Sequence, residues 1–196
     1  EYFQNIFTDN DAGVEVMYSH HIYMRENTFS DNWSPVSNGI LLKGISDSRI
    51  AKNIFEHNTI GIYAEGCDRN EIINNNLIKN GWAVKIMGDC GDNHFEGNNI
   101  TANTFDVVTN SSVSRNFFEK NFWSEYTGYD LDKNGMGDVP FRPVKLFTYI
   151  VEQIPPAIIL LRSLFIDLLN LAEKVTPVIT PETLTDNAPM MKEIKW

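Results

Sequence analysis

The sequence has little cysteine and a shortage of positive charge, and each shortage excludes a class of protein. Only two of its 196 residues are Cys, so the chain is not a disulfide-rich secreted scaffold. Sixteen Lys and Arg residues against 26 Asp and Glu residues give a formal net charge of −10, which argues against nucleic acid as a partner. The chain also opens inside a repeat, at residues 1–7, with no initiator Met and no capping helix. Because terminal repeats normally need a cap, we expect the C-terminal part of a longer protein, and the absence of a leader is then uninformative.

A six-residue phrase returns six times between positions 5 and 121: Asn, any residue, an apolar residue, any two residues, Asn. Its leading residues are Asn5, Asn27, Asn53, Asn75, Asn98 and Asn116. Successive copies are separated by 22, 26, 22, 23 and 18 residues. A repeat of this length is typical of a solenoid, in which each unit buries its apolar face only by stacking on its neighbours.

Short apolar alternations between these phrases predict strands, because successive side chains of a strand point to opposite faces. They are Val14 and Val16, Ile40 and Leu42, Ile62 and Ala64, and Val84 and Ile86. A further strand is predicted three residues before each leading Asn, at Met24, Ile50, Ile72, Phe95 and Val113. Three strands per repeat predict a mainly β protein, a parallel β-helix over residues 1–121. Asn suits its bends because Asn tolerates the left-handed conformation and its amide can bond to identical neighbours about 4.8 Å away.

The first repeat contains a run of soft and borderline metal ligands. These are Met17, His20, His21 and Met24. Thioether and imidazole groups together suit copper, so we predict a copper site here. The alternative is that Met17 and Met24 only fill space in the core.

The two cysteines, Cys67 and Cys90, each precede the leading Asn of the next phrase by eight residues. They should therefore stack in adjacent repeats, about 4.8 Å apart. That separation is compatible with a disulfide, with a buried reduced pair, and with a soft-metal site made of two thiolates. The sequence leaves these three interpretations open.

An Asp-rich segment follows the repeats at residues 122–143. Its oxygen ligands fall at positions one, three, five and nine of a calcium-type loop, and they are Asp130, Asp132, Asn134 and Asp138. Gly135 occupies position six, where a sharp turn is needed. Position twelve is Phe141 instead of Glu, so this is not a standard EF-hand. We predict a structural calcium ion here, with a metal-free Asp-rich turn as the alternative.

Residues 144–196 change to helical character, with helices predicted over residues 144–153 and 157–174 after Pro155 and Pro156. The second helix is apolar over most of its surface, but Arg162 and Asp167 argue against a membrane-spanning segment. We predict a partner-binding face at Leu161, Leu164, Phe165, Leu168 and Leu169. Its partner is the end of the coil itself, a membrane protein or the membrane interface. The remainder, to Trp196, is predicted to be an extended arm.

The segment after the repeats resembles the C-terminal signature of the NosD family. The resemblance is carried by Asn121, Trp123, Ser124, Tyr126, Gly128, Asp130, Asp132, Gly135, Gly137, Asp138, Pro140 and Pro143. It implies a periplasmic right-handed β-helix that works with an ABC transporter in the maturation of nitrous-oxide reductase. The implied cargo is copper or a sulfur species, received from a donor protein, and the helices are expected to dock on the transporter permease. The copper ligands predicted above come from their chemistry and not from the family.

Two other classes of function compete with this non-enzymatic role. β-Helix lyases, hydrolases and epimerases act on carbohydrates with clustered acid and base groups. The charged residues between the phrases, such as Glu15, Lys43, Glu65 and Lys85, are scattered and form no recurring pair. A purely structural solenoid is the other alternative, and it leaves the apolar helix unexplained.

Overall fold

The computed structural model describes residues 1–111, 113–161, 163–175 and 184–196, and in these ranges a parallel β-helix precedes a short helical region. Sheet A consists of β1 (Tyr2–Phe3), β4 (Tyr23–Arg25), β7 (Arg49–Ala51), β10 (Glu71–Ile73), β13 (Gly91–Glu96) and β16 (Arg115–Glu119). Sheet B consists of β2 (Ile6–Thr8), β5 (Thr28–Ser30), β8 (Ile54–Glu56), β11 (Asn76–Ile78), β14 (Asn99–Thr101) and β17 (Phe122–Trp123). Sheet C consists of β3 (Ala12–Met17), β6 (Asn38–Lys43), β9 (Ile60–Glu65), β12 (Trp82–Ile86) and β15 (Phe105–Val108). The predicted fold class is confirmed.

The core follows the axis of the coil, because each rung, meaning one full turn through the three sheets, adds an inward side chain to each column. In sheet B, the rings of Phe29 and Phe55 stack with their centroids 4.8 Å apart. In sheet C, Ile40 pairs with Ile62 and both are fully buried. Stacked apolar columns of this kind give the coil one continuous core.

Buried asparagines form ladders along the corners of the coil. The Asn53 side-chain amide donates to Asn75 Oδ1 at 3.1 Å, and Asn75 donates to Asn98 Oδ1 at 3.0 Å. Each Asn Oδ1 also accepts the backbone N–H of the Asn one rung earlier, as Asn75 does from Asn53 at 2.9 Å. The left-handed backbone conformation belongs to the residue before each Asn, for example Lys52 with φ 56°. The bend thus uses the preceding residue, and Asn satisfies the backbone around it.

The sixth copy of the phrase, at Asn116, belongs to a different sheet from the other five. Phe118 pairs with Phe95 in sheet A, whereas the earlier phrases place their apolar residue in sheet B. Val113, predicted to continue the sheet A column, is 73% exposed, so that assignment was wrong. The last spacing of 18 residues is short because this copy lies one strand earlier in its rung.

The end of the coil is covered by residues 184–196. Asp186 occupies the place after Asn121 in the ladder: its Oδ2 accepts the backbone N–H and side-chain amide of Asn121 at 3.0 and 3.1 Å. The same oxygen accepts Trp123 Nε1 at 3.0 Å. The part of the predicted arm at 176–183 lies outside the described residues. The part that follows it pairs with the coil at Phe118 and Phe122.

The helical region comprises α1 (Leu146–Gln153), a 3-10 helix (Pro155–Leu160) and α2 (Leu164–Val175). The single helix predicted from 157 to 174 is therefore divided. Two consecutive prolines begin the 3-10 segment, and Ser163 starts the next helix by accepting the N–H of Ile166 at 3.0 Å. Arg162 lies outside the described residues. Among the helices that are described, none is long and apolar enough to cross a membrane.

Candidate functional site

The helices pack against the flank of the coil at its last rungs. Phe147 and Val151 of α1 and Ile166 of α2 form a buried cluster with Phe105 of β15. Lys85 of β12 also forms a half-buried ion pair with Glu152 at 2.8 Å. An ion pair of this kind adds orientation more than stability, while the apolar cluster fixes the helices to the coil.

The outer face of the helical region is apolar and exposed. Leu164, Phe165 and Leu168 of α2 are 81%, 56% and 65% exposed. Ile159, in the preceding 3-10 helix, is also exposed. Large exposed apolar patches are commonly interaction surfaces in soluble proteins. We call this set the outer helical face.

The structure divides the five residues predicted for partner binding into two groups. Leu164, Phe165 and Leu168 lie on the outer helical face. Leu161 and Leu169 are partly buried and pack on the cluster around Phe105. A helix that is apolar nearly all round can thus attach to the coil with one side and present the other.

His20 and His21 lie together at an exposed corner of the first rung. Their Nδ1 atoms are 2.6 Å apart and their rings meet edge to face. One metal ion bound by both would require the rings to rotate, because two nitrogens each about 2.0 Å from an ion on opposite sides are about 4 Å apart. Neighbouring Asp47 is held by Arg69 at 2.8 Å, and this hydrogen bond lowers the pKa of Asp47 to about 2.

The two methionines of the predicted copper set lie in different environments. Met17 ends β3 and is 45% exposed, close in sequence to the histidine corner. Met24 is fully buried in β4, inside the coil. The structure therefore brings three of the four predicted ligands to the surface and places Met24 in the core. Within the described ranges, no three His, Cys, Asp or Glu side chains converge as a metal-binding group.

The Asp-rich loop folds around its own backbone. Asp130 accepts the N–H of Gly135 at 2.9 Å and that of Asn134 at 3.1 Å, and Asp138 accepts the N–H of Leu131 at 2.7 Å. Desolvation raises the pKa of Asp130, but these backbone hydrogen bonds outweigh it and the pKa lies below its usual value. Gly135 adopts φ +88°, as a sharp turn at position six requires. The carboxylates of Asp130 and Asp138 already accept hydrogen bonds from backbone N–H groups. A bound cation would compete with these N–H groups for the carboxylate oxygens.

Asp106 is a buried ionisable residue that the sequence interpretation missed. Asp106 of β15 is 7% exposed, and its Oδ2 has no hydrogen-bond partner among the described residues. It continues the column of small residues at Gly13, Gly39, Gly61 and Ala83. In that column a Cβ on Gly39 would lie 2.7 Å from the Gly61 carbonyl oxygen of the next rung. The signal in the sequence was an Asp as the fifth member of a column that otherwise has Gly or Ala. The larger Asp side chain is accommodated because β15 is the last strand of sheet C.

Charged residues on the outside of the coil form pairs of opposite sign between rungs. Lys43 lies 2.9 Å from Glu65, and Arg49 lies 2.8 Å from Glu71. Paired charges of opposite sign stabilise a surface modestly, whereas a glycosidase would use two carboxylates across a groove. These pairs therefore give no support to the carbohydrate-enzyme alternative.

Comparison with known proteins identifies the family. The family described as "Periplasmic copper-binding protein (NosD)" matches residues 2–130. A protein of Stutzerimonas stutzeri and one of Pseudomonas aeruginosa, both named "Probable ABC transporter binding protein NosD", are each 27% identical over 126 residues. The matched region is 63% of this chain and 29% of each relative, so the chain spans less than a third of their length. Since the family match covers well over half of the 196 residues, this chain belongs to the NosD family.

Proposed function

We propose that the chain is a part of a periplasmic accessory protein that docks on an ABC transporter and carries copper for the maturation of nitrous-oxide reductase. The family's description as copper-binding and the relatives' name as transporter-binding proteins support this role. The copper is cargo, received from a donor protein and passed on. A sulfur species carried by the same route is the alternative cargo.

The observation that carries the proposal is the outer helical face. Its leucines and Phe165 are exposed although the opposite side of the same helix is fixed to the coil through Ile166. A permease subunit offers the complementary apolar surface, at or near the membrane interface. Because the helices and the coil share one buried cluster, docking the helices would also fix the coil relative to the transporter.

The docking proposal is tested by replacing Leu164, Phe165 and Leu168 with Ser. The affinity of this variant for the partner ABC transporter should fall at least tenfold, because the apolar contacts would be lost. The transporter is reconstituted in nanodiscs for the measurement. The matched control replaces exposed Glu15, Lys52 and Asp92 on the coil with Ser. Unchanged transporter binding by the helical variant would refute docking through this face.

The copper ligands proposed on the first rung are the exposed residues His20, His21 and Met17; Met24, the fourth residue predicted from the sequence, is fully buried in the core and is left out of the proposed site. Imidazole and thioether groups suit an exchangeable copper ion. Replacing His20, His21 and Met17 with Ala should weaken Cu(I) binding at least tenfold in an anaerobic competition titration. Met24→Leu, which conserves core volume, is the control and should leave the Cu(I) affinity unchanged. An unchanged Cu(I) affinity in the triple variant would remove the first rung from the proposal.

Calcium is proposed as a structural ion of the Asp-rich loop. Asp130, Asp132, Asn134 and Asp138 supply the oxygen donors that calcium prefers. Adding calcium, but not the same concentration of magnesium, should raise the midpoint of thermal unfolding by several degrees. Asp130→Asn should abolish the increase and Asp92→Asn on the coil should keep it. A midpoint insensitive to calcium would favour the metal-free turn.

A further inference from the structure

Cys67 and Cys90 are buried one above the other at a corner between sheets C and A. Their following residues, Asp68 and Gly91, form a parallel bridge, which sets the two cysteines in register on adjacent rungs. They are 1% and 3% exposed. The backbone N–H of Cys67 donates to Cys90 Sγ at 3.3 Å, so the sulfur of one rung lies against the backbone of the other.

The two thiols affect each other's ionisation in opposite directions. A hydrogen bond from the Cys90 thiol lowers the pKa of Cys67, and the same bond is the first reason that the pKa of Cys90 is raised. The first ionisation therefore leaves a thiolate and a thiol side by side. A soft monovalent cation bound between the two stacked sulfurs would neutralise part of the charge of two thiolates.

Cys67 and Cys90 are both free thiols, and the rung spacing leaves room for an ion between their sulfurs. Side chains stacked on adjacent parallel strands are separated by about 4.8 Å. Two metal–sulfur bonds of about 2.3 Å in line span about 4.6 Å, which matches this separation. A disulfide also joins Cα atoms about 4.4–6.8 Å apart, so a count of free thiols separates the two states. The Cys67 Sγ also lies 3.3 Å from the carbonyl oxygen of Leu42, in the preceding rung, and binding an ion would replace this weak hydrogen bond of the thiol.

The number of donors selects the ion. In the part of the chain that the structure describes, no third His, Cys, Asp or Glu completes a metal-binding group with this pair. Zinc prefers four ligands, whereas two thiolates satisfy Cu(I), the soft ion that sulfur ligands select. Access is short because exposed Gly66 adjoins Cys67 and exposed Asp89 adjoins Cys90, with Asp89 Oδ1 3.9 Å from Cys90 Sγ.

We infer that Cys67 and Cys90 form a two-coordinate thiolate site for Cu(I). This inference rests on the proposed function in one respect, namely that copper is the cargo. Binding converts two thiols and one Cu(I) ion into a bis-thiolate complex of charge −1 and releases two protons. No electron is transferred, so the step needs no oxidant. Affinity should fall as the pH is lowered, because protons compete for the sulfurs.

The test uses the full chain, reduced and then freed of reductant under anaerobic conditions. Two thiols must be counted in the unfolded protein before Cu(I) is titrated against a chromophoric chelator. Cys67→Ser and Cys90→Ser should each weaken the binding of one Cu(I) equivalent at least 100-fold. X-ray absorption of the loaded protein should show two sulfur ligands, and Zn(II) should not compete. Cys67→Ala, checked for folding by circular dichroism, provides a second variant if the Ser variant unfolds.

The variant of Met17, His20 and His21 separates this inference from the first-rung site. If Cu(I) binding is lost in the Cys variants and kept in the triple variant, the thiolate site is supported and the first-rung ligands are refuted. The reverse pattern refutes the thiolate site and upholds the first-rung ligands. If the intact chain binds two Cu(I) equivalents, and the Cys variants and the triple variant each lose one of them, both sites are supported. No Cu(I) binding by the intact reduced chain refutes both sites, while the docking proposal is still tested by its own experiment.

Discussion

Asp106 brings a carboxylate into a column of small residues at the last rung. Burial is the main cause that raises its pKa to about 7, and the charge of Glu125 raises it further, whereas Lys145 and a hydrogen bond from Asn103 lower it. In the unfolded chain the same group would titrate near pH 4. The native state therefore binds more protons than the unfolded state between about pH 4 and pH 7.

The free energy of unfolding should fall as the pH rises through that window, and Asp106→Asn should remove this part of the pH dependence. At pH 8 the variant should be more stable than the parent chain by up to roughly 4 kcal/mol, because no buried charge has to be kept. Urea unfolding at pH 5, 6.5 and 8 measures both effects. Asp92→Asn, at an exposed corner, is the control, and parallel pH profiles for all three proteins would contradict the prediction.

Asn75 illustrates how a buried polar residue can stabilise the coil. Its side chain accepts the N–H and the amide of Asn53 and donates to the Ile50 carbonyl oxygen at 2.9 Å. Asn75→Ala would leave several of these groups buried without partners, so it should destabilise the fold by roughly 2–4 kcal/mol. The adjacent, partly exposed Asn76→Ala should cost much less. Chemical unfolding of both variants tests this, and equal losses would mean that the ladder is not the cause.

At the scale of elements, the sequence predicted strands well where their pattern repeated. Ile40 and Ile62 occupy equivalent positions in a column, and the phrase period predicted their stacking. Val113 was misassigned because the last repeat is shortened and its Phe118 carries the same local pattern in another sheet. The local pattern of a repeat does not specify the sheet to which its strand belongs. That depends on which strand of the preceding rung it pairs with, and here Phe118 pairs with Phe95 in sheet A.

The helices show the same limit for the candidate site. An apolar pattern covering most of a helix cannot indicate which side packs on its own coil, since both sides are apolar. The structure distinguishes them: Ile166 is buried against Phe105, and Leu168 is exposed. The division of the predicted helix between the 3-10 segment and α2 was likewise not visible from composition.

Because Ile166 is buried and Leu168 is exposed, two similar substitutions in α2 should affect stability very differently. Ile166→Ser should destabilise the attachment of the helices by roughly 2–4 kcal/mol, because it removes buried apolar contacts. Leu168→Ser should leave stability within about 0.5 kcal/mol and reduce self-association of the purified protein, because it removes exposed apolar surface. Chemical unfolding and sedimentation measure the two properties. Strong destabilisation by Leu168→Ser would mean that the outer helical face is covered within the chain itself.

At the scale of the whole molecule, the chain closes its own coil with a distant segment. Asp186 is 65 residues from Asn121, yet it continues the asparagine ladder as its last member. The sequence did not reveal this because Asp186 stands outside any copy of the repeated phrase. A single carboxylate after a long non-repetitive segment carries no periodic signal. In the last rung the Asn121 amide and the Trp123 indole N–H need an acceptor, and the structure shows that Asp186 provides it.

Asp186→Ala should therefore destabilise the last rungs, and Trp123 should report it. The substitution leaves the Asn121 amide and the Trp123 indole N–H buried without an acceptor, at a cost of roughly 2–4 kcal/mol. Asp186→Asn should cost less, because in earlier rungs an Asn oxygen accepts the corresponding backbone N–H and side-chain amide, as Asn121 does from Asn98. Removing the exposed charge at Glu193, in the same segment, should have little effect. If Asp186→Ala unfolds the coil no earlier than Glu193→Ala in urea, with the Trp emission unshifted, then residues 184–196 cover the end of the coil without stabilising it.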